Sequence, residues 1–157
     1  MDFKFVPVVL FLFLQFCYGR TPLHPRYVRN FYNSPNAPAA SGPYSHAVVA
    51  RGKWVFISGQ GGYDAVTDTI VSGGIVKETE KALENVLTIL KEVGGDKKHI
   101  MKMTNYLKDM HDLDEVNQAY VNVFKGKYPA RATFQVAALP AEGNIEIDAV
   151  AVIDNGF

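Results

Sequence analysis

The run from Tyr128 to Val152 limits the fold more than any other part of the chain. It holds two β-favouring segments joined by a polar loop, with an Arg and a Glu where apolar residues would be expected. The ring of Pro129 crowds the residue before it and biases Tyr128 toward extended backbone. Arg131 then leads into Thr133-Phe134-Gln135-Val136, side chains that suit a pleated surface. Asn144–Ile153 has the densest β-branched pattern in the chain, and Glu146 sits inside it between Ile145 and Ile147. Side chains alternate across a strand, so Glu146 shares a face with Asp148, Val150 and Val152. If the two strands are neighbours, a guanidinium and a carboxylate face one small volume.

The preceding segments supply the support. Ser41-Gly42-Pro43 is a turn, Tyr44–Arg51 reads as a strand, and Trp54-Val55-Phe56-Ile57-Ser58 is a strong aromatic and β-branched signal, so the two predict a hairpin through Gly52-Lys53. Ser58-Gly59-Gln60-Gly61-Gly62 reads as a strand-end loop able to wall a site. Ile75, Thr79, Ala82, Leu83, Val86, Leu87, Leu90 and Val93 recur at helical spacing, with Glu78, Lys81, Glu84, Lys91 and Glu92 on the other side. Gly94-Gly95 ends that helix. Ile100–Leu107 reads as a strand, Asp109–Asp112 as a turn with an N-cap candidate, and Leu113, Val116, Tyr120, Val123 and Phe124 as the buried face of a second helix ending at Gly126.

Strand, strand, helix, strand, helix, strand, strand predicts an α/β (α+β) domain: a single mixed sheet with two helices on one face. The uncovered face, with Val55 or Ile57 and alternate members of Ile145–Ile153, would be exposed in a monomer, a physical reason to expect an oligomer.

At 157 residues, 48% hydrophobic and 20% charged, the chain has the composition of an ordinary globular domain. Sixteen basic against sixteen acidic residues argue against nucleic acid as the main partner. Residues 1–19 have signal-peptide form, an apolar run from Phe5 to Phe16 followed by small residues at Cys17 and Gly19. The run is shorter than the about 20 residues of a membrane span, so no stable membrane anchor is expected. The reading is a secreted or secretory-pathway protein, with a mitochondrial presequence or a cytosolic protein as alternatives. Residues 20–32 read as an exposed leader without strand or helix periodicity, and 33–157 as the domain. The only cysteine, Cys17, falls in the segment expected to be removed, leaving no thiol nucleophile.

Arg131 is the candidate anion clamp, because its charge is permanent and its fork of donors matches a carboxylate. Glu146 is a candidate base or partner for that Arg, and Asp148 competes for the role. Tyr44 is either a donor to substrate or a packed aromatic. Ser58 has no neighbouring His in sequence, and His24, His46, His99 and His111 lack metal-ligand spacing. The Gly59–Gly62 loop lacks the Lys-Ser/Thr ending of a phosphate-binding loop.

Asn36–Ser45, Val55–Gln60, Ala82–Val86, Val116–Tyr120, Tyr128–Thr133 and Ile145–Ala151 together, in that order, resemble the RidA (YjgF) family of reactive intermediate deaminases over about residues 33–153. The resemblance implies a chorismate-mutase-like fold and a homotrimer with clefts between subunits. It implies hydrolysis of 2-enamino and 2-imino acids to 2-oxo acids and ammonia, without metal or organic cofactor. Carried over by motif, Arg131 would clamp the substrate carboxylate, Glu146 would orient the attacking water, and Tyr44 and Ser58 would line the cleft. Asn117 would support it near the subunit boundary, with Gln60 and Thr133 also binding substrate.

The sequence departs from the family pattern at Gly61 and Gly62, where a large aliphatic and a turn residue are common, so a looser loop is expected there. The signal-like leader is a second departure. Two further readings stay open: an RNA-directed translation inhibitor or endoribonuclease, and a secreted ligand-binding trimer without turnover.

Overall fold

The computed structural model describes residues 28–34, 36 and 42–153. The signal-like segment, with Cys17 and His24, lies outside them. Among the described residues eight strands and two α-helices follow in chain order: β1 (Val28–Tyr32), β2 (Ala47–Arg51), β3 (Lys53–Gly61), β4 (Tyr63–Asp64), β5 (Thr69–Ile70), α1 (Gly74–Glu92), β6 (Ile100–Leu107), α2 (Leu113–Phe124), β7 (Ala130–Gln135) and β8 (Ile145–Ile153).

The central sheet is mixed, in the order β3-β8-β6-β7. β8 runs antiparallel to both β3 and β6, whereas β6 and β7 are parallel and are joined through α2. A parallel pair needs such a crossover, and the helix provides it. Both helices cover one face. Thr79, Ala82, Leu83, Val86 and Leu90 of α1 and Val116, Ala119, Tyr120 and Phe124 of α2 are buried. They enclose one core with Ile57, Met103, Leu107, Ile145, Ile147, Ala149 and Ala151. At the end of α1 the Gly95 N–H donates to the Leu90 carbonyl at 2.8 Å and the Gly94 N–H to Lys91 at 3.0 Å. Gly94 takes φ +92°, which closes the helix as its sequence predicts.

The uncovered face is aromatic. Trp54 and Phe56, two apart on β3, are 57% and 76% exposed and stack at 6.3 Å, and Phe134 on β7 is 54% exposed. The expectation of Val55 or Ile57 on this face is corrected: Ile57 is buried under the helices and Val55 packs beside it, because the alternation runs one residue out of step with that reading.

The predicted β2–β3 hairpin does not form. One residue, Gly52, separates the two strands, fewer than the two that the tightest common hairpin loop needs. β2 pairs instead with β1, Val28 opposite Arg51 through Tyr32 opposite Ala47, and β3 pairs with β8. Part of the supposed leader is therefore strand, although Asn30, Phe31 and Tyr32 are exposed as expected. The sequence reading also missed the short β4–β5 ribbon. Its turn is held by the Asp64 carboxylate, which accepts from the Val66 and Thr67 N–H groups at 2.9 and 3.0 Å. Val93, assigned to the buried stripe of α1, is 43% exposed at the helix end.

Leu83 is fully buried where α1 meets the sheet. Leu83→Ala is expected to cost about 2–5 kcal/mol through lost transfer energy and the cavity left behind, read from the midpoint of denaturant unfolding. Val66→Ala, at a site 93% exposed, should leave that midpoint unchanged.

Candidate active site

Arg131 stands level with Met103 across the parallel β6–β7 ladder, and Thr133 with Asn105. Met103 and Asn105 are buried on the helix side, so Arg131 and Thr133 point that way too. The Arg131 Nη2 donates to Asn117 Oδ1 on α2 at 2.6 Å. Its guanidinium lies 4.7 Å from the Tyr120 ring centroid and 5.9 Å from that of Tyr44. Tyr44 is held against β7 by its neighbour Ser45, whose N–H donates to the Pro129 carbonyl and whose hydroxyl donates to that of Tyr128. The Tyr120 hydroxyl donates to Asn105 Oδ1 at 2.5 Å, and Asn105 Nδ2 donates to Thr133 Oγ1 at 3.3 Å.

One donor is left over. Nη1 of Arg131 is buried and has no hydrogen-bond partner among the described residues. Burial lowers the guanidinium's proton affinity, while the Tyr120 and Tyr44 rings act in the other direction. An Arg starts so far above neutrality that it keeps its charge. A cation fixed by an amide and two ring faces, with a buried Nη1 group unpartnered among the described residues, has the donor capacity to accept an anion.

Glu146 belongs to a second cluster. From Ile145 to Ala151 burial alternates along β8, with Ile145, Ile147, Ala149 and Ala151 buried and Glu146, Asp148 and Val150 half-buried, which puts Glu146 and Asp148 on the uncovered face. They line a cavity of about 670 Å³ with Ser58, Gly59, Tyr106, Leu139 and Pro140. The Tyr106 hydroxyl donates to Asp148 Oδ2 at 3.0 Å, and this bond is the first cause of a raised Tyr106 pKa. The Glu146 carboxylate has no hydrogen-bond partner among the described residues, which favours it over Asp148 as the group open to a ligand or water.

The expected meeting of Arg131 and Glu146 within one chain is corrected. β6 lies between β7 and β8, so their strands are two ladder spacings apart, roughly 10 Å, and the side chains leave opposite faces. The polar loop that joins β7 and β8 does not make them neighbours, because β7 pairs with β6 instead.

Ser58-Gly59 is a β-bulge rather than a strand-end loop. Ile57 pairs with Ala149 and Gln60 with Ile147, so two residues of β3 stand opposite Asp148 alone. The bulge presents Ser58 to the cavity and leaves room at Gly59 for Glu146, whose carboxylate would meet any side chain there. Gln60 does not reach into the cavity; its amide folds back on the Ser58 and Gly59 carbonyls at 3.2 and 3.0 Å.

The loop at Gly61-Gly62 is tethered, not loose. Asn85 Nδ2 donates to the Gly61 and Tyr63 carbonyls at 3.0 and 2.9 Å, and Val71 N–H donates to Gly62. Gly62 is pressed against the backbone and side chain of Glu78, where a Cβ would not fit. Glu78, assigned by periodicity to the outer side of α1, is 2% exposed and accepts three N–H bonds from Asn144 and Ile145. The described histidines serve local structure: His46 accepts from the Ser34 N–H, His99 from the Asp96 N–H, and His111 pairs with Asp109.

The family described as Endoribonuclease L-PSP matches residues 34–153. The chain belongs to this family. It is the RidA (YjgF) family that the motifs resemble. A Capra hircus relative named 2-iminobutanoate/2-iminopropanoate deaminase is 45% identical over 125 residues, 80% of this chain and 90% of the relative. The solved structure of RidA from an Antarctic Psychrobacter species is 37% identical, covers 79% of this chain and 99% of its own, and superposes with a TM-score of 0.62. Escherichia coli TdcF with bound serine is 34% identical, covers 80% and 99%, and gives a TM-score of 0.62. The mixed sheet with two helices is thus the fold of RidA-family structures.

Tyr120, Asn105, Tyr106 and Glu78 escaped the reading of the sequence as site residues. Only Asn105 left a signal, an amide on the otherwise apolar buried side of its strand. In this RidA-family chain Gly59→Ala is expected to push the Glu146 carboxylate out of its place and to cost about 1–3 kcal/mol through overpacking. A crystal structure of the variant with Glu146 unmoved would contradict this.

Proposed function

We propose that this protein hydrolyses 2-enamino and 2-imino acids to 2-oxo acids and ammonia in clefts between the subunits of a homotrimer. The observation that carries the reading is the spare buried Nη1 of Arg131 beside Asn117, Tyr44 and Tyr120, in a chain whose relatives are named imine deaminases. The serine held by TdcF has a carboxylate and a nitrogen on one carbon, the two groups that a 2-imino acid also carries. Arg131 grips the substrate carboxylate, with Thr133 and Asn117 beside it. Glu146 accepts a proton from a water whose oxygen adds to the imine carbon. The imine nitrogen takes a proton from Tyr44 or a bound water to give a carbinolamine; Glu146 then passes its proton to that nitrogen, the hydroxyl returns a proton to Tyr44 or the water, the carbon–nitrogen bond breaks, and ammonia leaves behind a 2-oxo acid. A 2-enamino acid first becomes the imine by moving its N–H proton to the terminal carbon. The imine carbon is already electrophilic, so positioning and acid–base help suffice without metal or organic cofactor.

Two features support the shared cleft. Arg131 and Glu146 leave opposite faces of the sheet, so they can meet only if a second subunit supplies one of them. The aromatic face of Trp54, Phe56 and Phe134 offers apolar area for such packing. The Ser58 hydroxyl lines the wall on the Glu146 side, and Gln60 supports the bulge instead of touching substrate. We place the start of the domain at β1, because Val28–Tyr32 pairs with β2, and the site of action in the secretory pathway, if residues 1–19 act as a signal.

With the full chain, ammonia release from freshly generated iminopyruvate should fall at least about a hundredfold in Arg131→Ala, the loss of two charge-assisted bonds worth ~1.5–3 kcal/mol each. The oligomer should persist in sedimentation. Unchanged release would sink the proposal. Arg131→Ala and Glu146→Gln chains, each inactive alone, should regain activity when refolded together, and no recovery would rule out a site shared between subunits. The family description favours one other reading, endoribonuclease action. RNA cleavage that survives Arg131→Ala would move the assignment there.

A further inference from the structure

Glu78 is a buried carboxylate that the proposed reaction does not use. Its Oε1 accepts the Asn144 N–H at 2.6 Å and the Ile145 N–H at 3.3 Å, and its Oε2 accepts from Asn144 Nδ2 at 2.7 Å. It is 2% exposed, and its Cγ and backbone are packed against Gly62. The residue after Asn144 and Ile145 is Glu146. Just before them, Ala141 and Glu142 have φ of +47° and +60°, left-handed backbone that non-glycine residues adopt only where the surroundings hold it. Pro140 and Leu139 of the same segment line the cavity that Glu146 enters. One carboxylate on α1 thus fixes the last two residues before Glu146 and the end of a strained loop along its cavity.

We infer that Glu78 is a positioning residue for Glu146: it sets where β8 begins and so where the water-orienting carboxylate stands. The inference rests on the reading of Glu146 given above. Gln can make the same clamp, since its carbonyl oxygen can accept both backbone N–H groups while Asn144 turns its amide to accept from the Gln NH₂. Ala cannot. A group that orients water but does not hold the substrate carboxylate should act on kcat and leave KM alone.

Imine hydrolysis per folded molecule should therefore show kcat about tenfold lower in Glu78→Ala with KM unchanged, in keeping with a small displacement of a reacting group. Glu78→Gln should stay within about twofold of the parent. Amide hydrogen exchange at residues 143–147 should quicken in Glu78→Ala and not in Glu78→Gln. If Glu78→Ala folds too poorly to assay, Asn144→Ala removes one arm of the clamp and should lower kcat in the same direction. An unchanged kcat in Glu78→Ala or Asn144→Ala, or a Gln variant as slow as the Ala variant, would overturn the inference. The exchange readout needs no substrate, so it still tests the clamp if the parent protein proves inactive on imines.

Discussion

Insertion of β6 between β7 and β8 is the arrangement on which the rest of the molecule depends. The parallel β6–β7 pair obliges the chain to cross over through α2, and that crossover lays Asn117 and Tyr120 beside Arg131. The same insertion sends β8 to pair with β3, where the bulge at Ser58-Gly59 opens room for Glu146. A simple hairpin of β7 and β8 would have put the Arg and the Glu side by side, and a salt bridge between them would have satisfied both. Kept apart, each retains unspent capacity for a ligand.

Glu78, which is buried, and Arg131, which is half-buried, are settled in different ways. Glu78 has both oxygens occupied by N–H donors, so its burial is compensated from within the chain. Arg131 has Nη2 on Asn117, two aromatic faces, and an Nη1 group with no hydrogen-bond partner among the described residues. A fully satisfied charge rigidifies its surroundings, whereas a partly satisfied one in a half-buried place gains from binding an anion.

Much of the architecture was legible in the sequence because it follows from periodicity. The two helices, the strands at Ile100–Leu107 and Ile145–Ile153, and the caps at Gly94-Gly95 and Asp109 all come from local patterns that the packing agrees with. Pairing is a different matter. Nothing local says that β3 will choose β8 over β2, or that β6 will separate β7 from β8, since those choices depend on loop length and on which faces the helices cover. Glu78 looked like a solvated helix residue because its partners lie 66 and 67 positions away. Of the site residues, Arg131, Tyr44, Asn117 and Thr133 come together as one group, and Ser58 and Glu146 as another. Gln60 belongs to the scaffold.

The bulge at Ser58-Gly59 also governs how the chain can change length. Two residues there stand opposite one, so removing either would restore an unbroken ladder between β3 and β8. The strand on either side would face as before, since Ile57 and Gln60 already pair with Ala149 and Ile147 on one face, but the slack that makes room for the Glu146 carboxylate would be gone. A deletion that an exposed turn such as Val66–Asp68 would absorb would here leave the sheet intact and take away the space in which Glu146 stands.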